Sequence, residues 1–348
     1  MRIRGGMKGN AISGALVALL LIASLPIGAA AQDPTVALRI SLWLPAAHPV
    51  VASTRDWAAD IEKASGGTIK PIVFPSEQLG RAFDHYDMAR DGIADITYVN
   101  PGYQPGRFPV IAIGQIPFTF RDGRKGTVAL DTWYRKYAPT EMKDTHFCLA
   151  FIHDPGTFHA RRRIEMPADV RGLKVRPAQS TIAQLVTQLG GTNVQASAPE
   201  ARDMLERGVA DAITFPWGSI FLFGIDRAVK YHIDAPIYTT VFTFVMNKAR
   251  YDGMTPAQRS VIDGHCTTAW AEKIAGPWAD FEAAGRDRMR ATAGHEVYPL
   301  SPAQLAAWKG TVAPLQKNWG AAVAQVGVDP QAAAAELQAS LAKYDAGF

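Results

Sequence analysis

Short apolar runs of period two alternate with segments of helical period along this chain, and that alternation restricts the fold more than any other feature. Val36, Leu38, Ile40, Leu42 and Leu44 have the spacing of a strand ending near Trp43 to Pro45. Val50, Thr54, Trp57, Ala58 and Ile61 then fall on one helical face, and Gly66-Gly67 stops the run before a second strand, Thr68 to Phe74. This is a βαβ unit. A helix near Asp84 to Asp91, a strand from Ile93 to Val99, a helix around Thr127 to Tyr137 and a strand from His146 to His153 continue the pattern. Leu173 to Arg176 is the next strand. It leads into a helix whose Ile182, Leu185, Val186 and Leu189 mark a core face. Ser197-Ala198-Pro199-Glu200 has capping-box spacing and predicts a short helix to Arg207, stopped by Gly208, before the strand Asp211 to Phe215.

Such alternation predicts α/β layers with largely parallel sheets, in which ligands sit beyond the carboxyl ends of strands. Those ends are Trp43, Asn100, Arg176 and Phe215. After an apolar strand, Thr239 to Asn247, the rhythm changes. Thr255-Pro256 opens a helical pattern running to about Ala293, with Trp270, Ile274, Trp278 and Phe281, long enough to brace two domains and expected to kink at Gly276-Pro277. At 348 residues the chain has room for two domains, which makes a cleft between them the default site.

Basic Arg2, Arg4 and Lys8, an apolar run from Ala11 to Leu25 and the triplet Ala29-Ala30-Ala31 read as a secretory signal cut before Gln32. The run is shorter than the ~20 residues of a membrane span, and no Cys follows the triplet to carry a lipid anchor. The 36 basic residues exceed the 32 acidic ones by little more than the three in this leader, so the mature chain is about neutral. Neither nucleic acid nor an anionic membrane is an expected partner, because no basic stripe remains to neutralise phosphates. Cys148 and Cys266 have no metal-ligand spacing; they read either as a disulfide or as two buried thiols.

The motifs of serine hydrolases, zinc proteases, P-loops and EF-hands are absent, and no cofactor or metal site is implied. His153, Asp154 and His159 form the one cluster of catalytic residue types, and a periplasmic enzyme using them is the different-class alternative. Arg176 is the more telling residue. At the end of a strand facing the predicted crevice, its guanidinium can take a carboxylate through two parallel N–H···O bonds, which a lysine cannot copy. Trp43, Tyr98, Tyr103, Phe215 and Trp217 gather at the same strand ends, with Asn100 as a neutral donor and acceptor.

Several segments together resemble the solute-binding proteins of tripartite ATP-independent periplasmic (TRAP) transporters, of the DctP type. They are Phe74-Pro75-Ser76-Glu77-Gln78-Leu79-Gly80, Arg90-Asp91-Gly92-Ile93-Ala94-Asp95, Ile116-Pro117-Phe118, the run Pro167 to Arg176, and the run Leu205 to Ala212. The resemblance implies a monomeric periplasmic protein of two lobes joined by hinge segments, with the long helix bracing both. The lobes are expected over residues 32–153 plus 241–280 and 154–240 plus 281–348. They would close over an organic acid and deliver it to a membrane permease without ATP. A sensory binding protein would read the same way.

The family's carboxylate-binding arginine falls on Arg176. Where many relatives carry an asparagine after the strand matching Asp211 to Phe215, this chain has Thr214-Phe215-Pro216-Trp217. A polar position of the first strand corresponds to Trp43, an acidic one to Asn100, and a second arginine to Gly156. Arg161, Arg162 and Arg163 read better as a solvated turn than as its replacement. Aromatic groups thus replace polar contacts around a retained anchor, which predicts a monocarboxylate with an apolar or aromatic body. Sugar acids would leave hydroxyls unpaired at ~1–3 kcal/mol each. The alternative substrate is a small 2-oxo or 2-hydroxy acid whose second oxygen is read by Tyr98, Asn100 or His159.

Overall fold

The computed structural model describes residues 33–348, so the leader and cleavage point expected over residues 1–31 lie outside it. The described strands are β1 (Val36–Ser41), β2 (Ile69–Phe74), β3 (Ile96–Val99), β4 (Thr145–Ile152), β5 (Thr157–Ala160), β6 (Lys174–Arg176), β7 (Thr192–Asn193), β8 (Ala212–Phe215), β9 (Tyr231–Ile233), β10 (Val241–Asn247) and β11 (Glu296–Tyr298). They form two sheets, ordered β2-β1-β3-β10-β4 and β11-β9-β5-β8-β6-β7. Each is covered by helices, giving a mixed α/β architecture.

The βαβ start has a simple physical origin. Val50, Thr54, Trp57, Ala58 and Ile61 are all buried on the helix Pro49–Ala64, which begins with proline at a position needing no N–H and ends before Gly66 and Gly67, both at positive φ. β1 then pairs parallel with β2 and β3. The sheets are not wholly parallel. β10 runs antiparallel to β3 and β4, and β5 runs antiparallel to β8 and β9. These two strands receive the chain as it crosses from one sheet to the other, so each enters against its neighbours' direction.

The two crossings, residues 153–156 and 234–240, pair with each other. Gly156 donates to the Tyr238 carbonyl at 2.9 Å, and its own carbonyl accepts from Ile237 at 3.0 Å. A side chain at residue 156 has no room, because a Cβ would lie 2.7 Å from the Phe215 carbonyl oxygen.

The helical pattern after Thr255, expected to run almost unbroken, is interrupted once. One helix spans Pro256–His265 and a second Thr268–Ala291. Cys266 leaves helical geometry between them and is joined to Cys148 on β4, and the Thr267 side chain caps the amide of Trp270. Arg135 fastens this corner by donating to the carbonyls of both Cys266 and Cys148, at 2.8 and 3.0 Å. The second helix continues through Pro277 and packs against elements of the first sheet and, at its far end, against the turn after β8. No described helix is long and apolar enough to cross a membrane.

Candidate functional site

A cavity with about 370 Å³ of empty space, part of it open to solvent, lies between the two sheets. The first sheet contributes Trp43, just beyond β1, Asn100, beyond β3, and Phe242 on β10; the second contributes Arg176 and Phe215 at the ends of β6 and β8. The crossings supply His153, Tyr238 and Thr240, and the long helix supplies Trp278. Trp, Tyr and Phe are the commonest residues of its wall, and the surface they expose to it is mostly apolar.

Arg176 is 1% exposed. β6 holds its backbone between β7 and β8, and its side chain is fixed on the protein by two bonds. Nε donates to the Ala196 carbonyl at 2.9 Å and Nη2 to the Tyr103 hydroxyl at 3.1 Å. Both acceptors are neutral, and no carboxylate among the described residues forms an ion pair with it, although most arginines here have one. The Phe215 ring lies alongside, 5.8 Å from the guanidinium carbon. A buried cation with only neutral partners is costly by itself, and an incoming anion would relieve that cost. Tyr103 completes the arrangement. Its oxygen accepts from Arg176 and from the Ala198 amide at 2.9 Å, which occupies both lone pairs and leaves the hydroxyl proton to donate.

Other polar groups of the wall are already engaged. Asn100 Oδ1 accepts from Gly102, and its Nδ2 reaches the Ala178 carbonyl at 3.4 Å. His153 donates from Nδ1 to the Asp154 carbonyl and accepts from Thr240 at Nε2, so it is neutral, and burial holds its pKa down to about 4. His48 accepts from the Val50 amide at Nδ1, leaving Nε2 to face the Ser219 hydroxyl, and burial lowers it to about 3. Behind them, Glu282 accepts from the Gly218 and Ser219 amides, the Ser219 hydroxyl and Trp278 Nε1. Desolvation still pushes its pKa up to about 7. The turn can sit this close because Gly218 and Gly285 lack side chains; a Cβ on Gly285 would be 2.2 Å from Gly218 Cα.

The sequence candidates divide between wall and support. Trp43, Asn100, Tyr103, Arg176 and Phe215 line the cavity. Tyr98 stands behind it, 5.0 Å from Trp43 and stacked 4.9 Å from Phe242. Trp217 is buried edge-on to His159 at 5.0 Å. His159 lies behind Phe215 and donates to its carbonyl from Nε2, which leaves Nδ1 to accept from His232. His232 in turn meets His295 at 3.0 Å, so His159 belongs to a chain of three imidazoles rather than to a cluster with His153 and Asp154. Asp154 instead caps Gly123. Arg161, Arg162 and Arg163 bond to outlying backbone and carboxylates, none of them at the cavity. Sequence reasoning missed Tyr238, Phe242 and Trp278. Trp278 looked like core on a long helix, and Tyr238 precedes a predicted strand without any motif of its own.

The profile of DctP, bacterial extracellular solute-binding protein family 7, matches residues 40–323. Among solved structures, a marine metagenome TRAP solute-binding protein specific for aromatic acid ligands, in complex with 3-hydroxybenzoate, is 29% identical with a TM-score of 0.83, covering 90% of this chain and 100% of its own. A TRAP solute-binding protein from Rhodoferax ferrireducens with copurified benzoate is 27% identical at 0.83, covering 89% and 99%. One from Bordetella bronchiseptica with bound (R)- and (S)-mandelate is 26% identical at 0.83, covering 88% and 99%. With its two sheets, the cavity between them and a family match over most of its length, the chain belongs to the DctP-type solute-binding proteins of TRAP transporters.

Proposed function

We propose that this protein captures an aromatic monocarboxylate in the cavity between its sheets and hands it to a membrane permease. Arg176 anchors the carboxylate through Nη1, and the Tyr103 hydroxyl donates to the same group. Trp43, Phe215, Phe242 and Trp278 enclose the ring. The observation that carries this reading is a guanidinium buried at 1% exposure, held by neutral acceptors and without an acidic partner among the described residues. An aromatic acid supplies the missing charge and sets its ring against apolar walls. A sugar acid would instead place hydroxyls against rings, at ~1–3 kcal/mol for each one left unpaired. The three structural relatives with benzoate, 3-hydroxybenzoate and mandelate support the same ligand class.

The working unit is a monomer of two lobes, residues 32–153 plus 241–280 and 154–240 plus 281–348, hinged where the chain crosses at 153–156 and 234–240. A ligand held by Arg176 from one side and Trp43 from the other favours the closed form through contacts that the open form lacks.

Thermal denaturation of the mature chain against benzoate, mandelate, 3-hydroxybenzoate, pyroglutamate and galacturonate tests this. At a hundredfold over its Kd a ligand adds ~2.7 kcal/mol, a rise of roughly 4 °C for a chain of this size. The aromatic acids are expected to give it. A shift with galacturonate or pyroglutamate alone would overturn the aromatic reading and leave the acid-binding one.

A further inference from the structure

Two buried polar atoms on residues lining the cavity have no hydrogen-bond partner among the described residues: Trp43 Nε1 and the Tyr238 hydroxyl. Both side chains are nearly inaccessible. Thr214 lies beside the Tyr238 hydroxyl but outside hydrogen-bond geometry; its Oγ1 accepts from the Ala178 amide at 2.8 Å and keeps its own proton. Trp43 is surrounded by the rings of Tyr98, Tyr103 and Phe242, at 5.0, 6.0 and 6.2 Å, which offer its N–H no in-plane acceptor. A buried donor without an acceptor is destabilising, and a ligand that supplies the acceptor regains that loss on binding.

The two atoms occupy different places relative to the anchor. Tyr238 lies on the crossing paired with Gly156, within the field of the Arg176 guanidinium, where a Cβ at residue 156 would be only 2.9 Å from its ring. Tyr238 and Arg176 line the same cavity. Trp43 belongs to the opposite sheet, beyond β1. An indole N–H can only donate, so what it meets on the ligand must be an acceptor. Asn100 already bonds Gly102 and Ala178, and His153 bonds Asp154 and Thr240, so neither is left wholly unpaired as Trp43 Nε1 is.

From this, and resting on the aromatic-acid reading of the cavity, we infer that the substrate carries a second oxygen, a hydroxyl or carbonyl away from the carboxylate, which accepts from Trp43 Nε1. Tyr238 adds a donor to the carboxylate group. Trp43 is then the residue that selects oxygenated aromatic acids over unsubstituted ones, and Tyr238 strengthens all acids alike. Because Trp43 and Arg176 lie on opposite sheets, an oxygenated acid bridges the cavity from wall to wall.

Calorimetric titration of wild type, Trp43→Phe and Tyr238→Phe with benzoate, 3-hydroxybenzoate and mandelate tests the assignment. In wild type at least one of the oxygenated acids is expected to bind roughly 5- to 100-fold more tightly than benzoate, the range expected for one buried donor satisfied. Trp43→Phe keeps an apolar ring but loses the N–H, and should bring that ratio to about 1 whatever the change in benzoate affinity itself. Tyr238→Phe should weaken all three acids by a similar factor and preserve the ratio. Equal or tighter binding of benzoate in wild type, a measurement that needs no variant, overturns the inference while leaving the aromatic-acid reading intact. So does an unchanged ratio in Trp43→Phe. Failure of all three acids to bind wild type overturns both.

Discussion

Replacing Arg176 by Met should separate binding from stability. The side chain is nearly fully buried, and its two bonds go to a carbonyl and a hydroxyl, so the unliganded protein bears a desolvation cost of several kcal/mol for the charge. Two hydrogen bonds from a charged donor return about 1.5–3 kcal/mol each. Methionine has similar length and no charge; it loses those bonds but removes the desolvation cost, so the two terms largely offset. Unfolding of the unliganded variant in urea should then lie within about 2 kcal/mol of wild type. Binding should behave differently. Losing a buried charge-paired contact costs about 2–5 kcal/mol, which weakens an aromatic acid by about 30- to 5,000-fold in calorimetry. Arg176→Lys keeps the charge without the planar fork and should fall between the two. Benzoate affinity within threefold of wild type in Arg176→Met would refute the reasoning, because the carboxylate would then be held by other groups.

Reduction of the Cys148–Cys266 bond, which closes 118 residues of chain, should cost about 2–5 kcal/mol and lower the melting temperature by roughly 3–8 °C. Neither cysteine lines the cavity, so ligand affinity should stay within about threefold. Gly285→Ala places a methyl against the Gly218 backbone, and denaturation should show a loss of about 1–3 kcal/mol, with weaker ligand binding because Pro216 and Ser219 in that turn form part of the wall. Stability should also fall with acid. His48, His85, His153, His159 and His232 are held down to about 3, 4, 4, 4 and 2 by burial, against an ordinary 6.5, so below pH 6.5 the unfolded chain binds protons that the folded one does not. Glu141, Glu282 and Asp154, raised to about 7, 7 and 6 by desolvation, act in the opposite sense, their stabilising protonation being lost as pH rises through those values. Urea unfolding should therefore show a shallow decline from pH 6.5 to 4.5 and a steeper one below 4.5, where unfolded carboxyls are protonated too. Rising stability between pH 6.5 and 4 would contradict the neutral assignment of these imidazoles.

What the sequence revealed follows from the range of the forces involved. The strand ends at Trp43, Asn100, Arg176 and Phe215 were readable because period-two and helical-period patterns are local, and all four do line the cavity. Arg176 stood out because its guanidinium can take a carboxylate through two parallel bonds and because the family resemblance places the anchor there. Three things were hidden because they depend on distant chain. The helical run after Thr255 breaks at Cys266, where a bond to a residue 118 positions away overrides a continuous helical pattern. His159 looked like a neighbour of His153, yet β5 turns it toward His232 and His295, separated from it by 73 residues and more. Tyr238 and Trp278 enter the wall only because two crossings pair through Gly156 and a long helix spans the molecule, and neither arrangement leaves a local signature.

The most direct test is a crystal structure of residues 32–348 with 3-hydroxybenzoate. The account predicts the carboxylate on Arg176 Nη1 at about 2.7–2.9 Å, the Tyr103 hydroxyl donating to it, and the ring enclosed by Phe215 and Trp43. A ligand carboxylate held elsewhere, with Arg176 still bonded only to Ala196 and Tyr103, would contradict it.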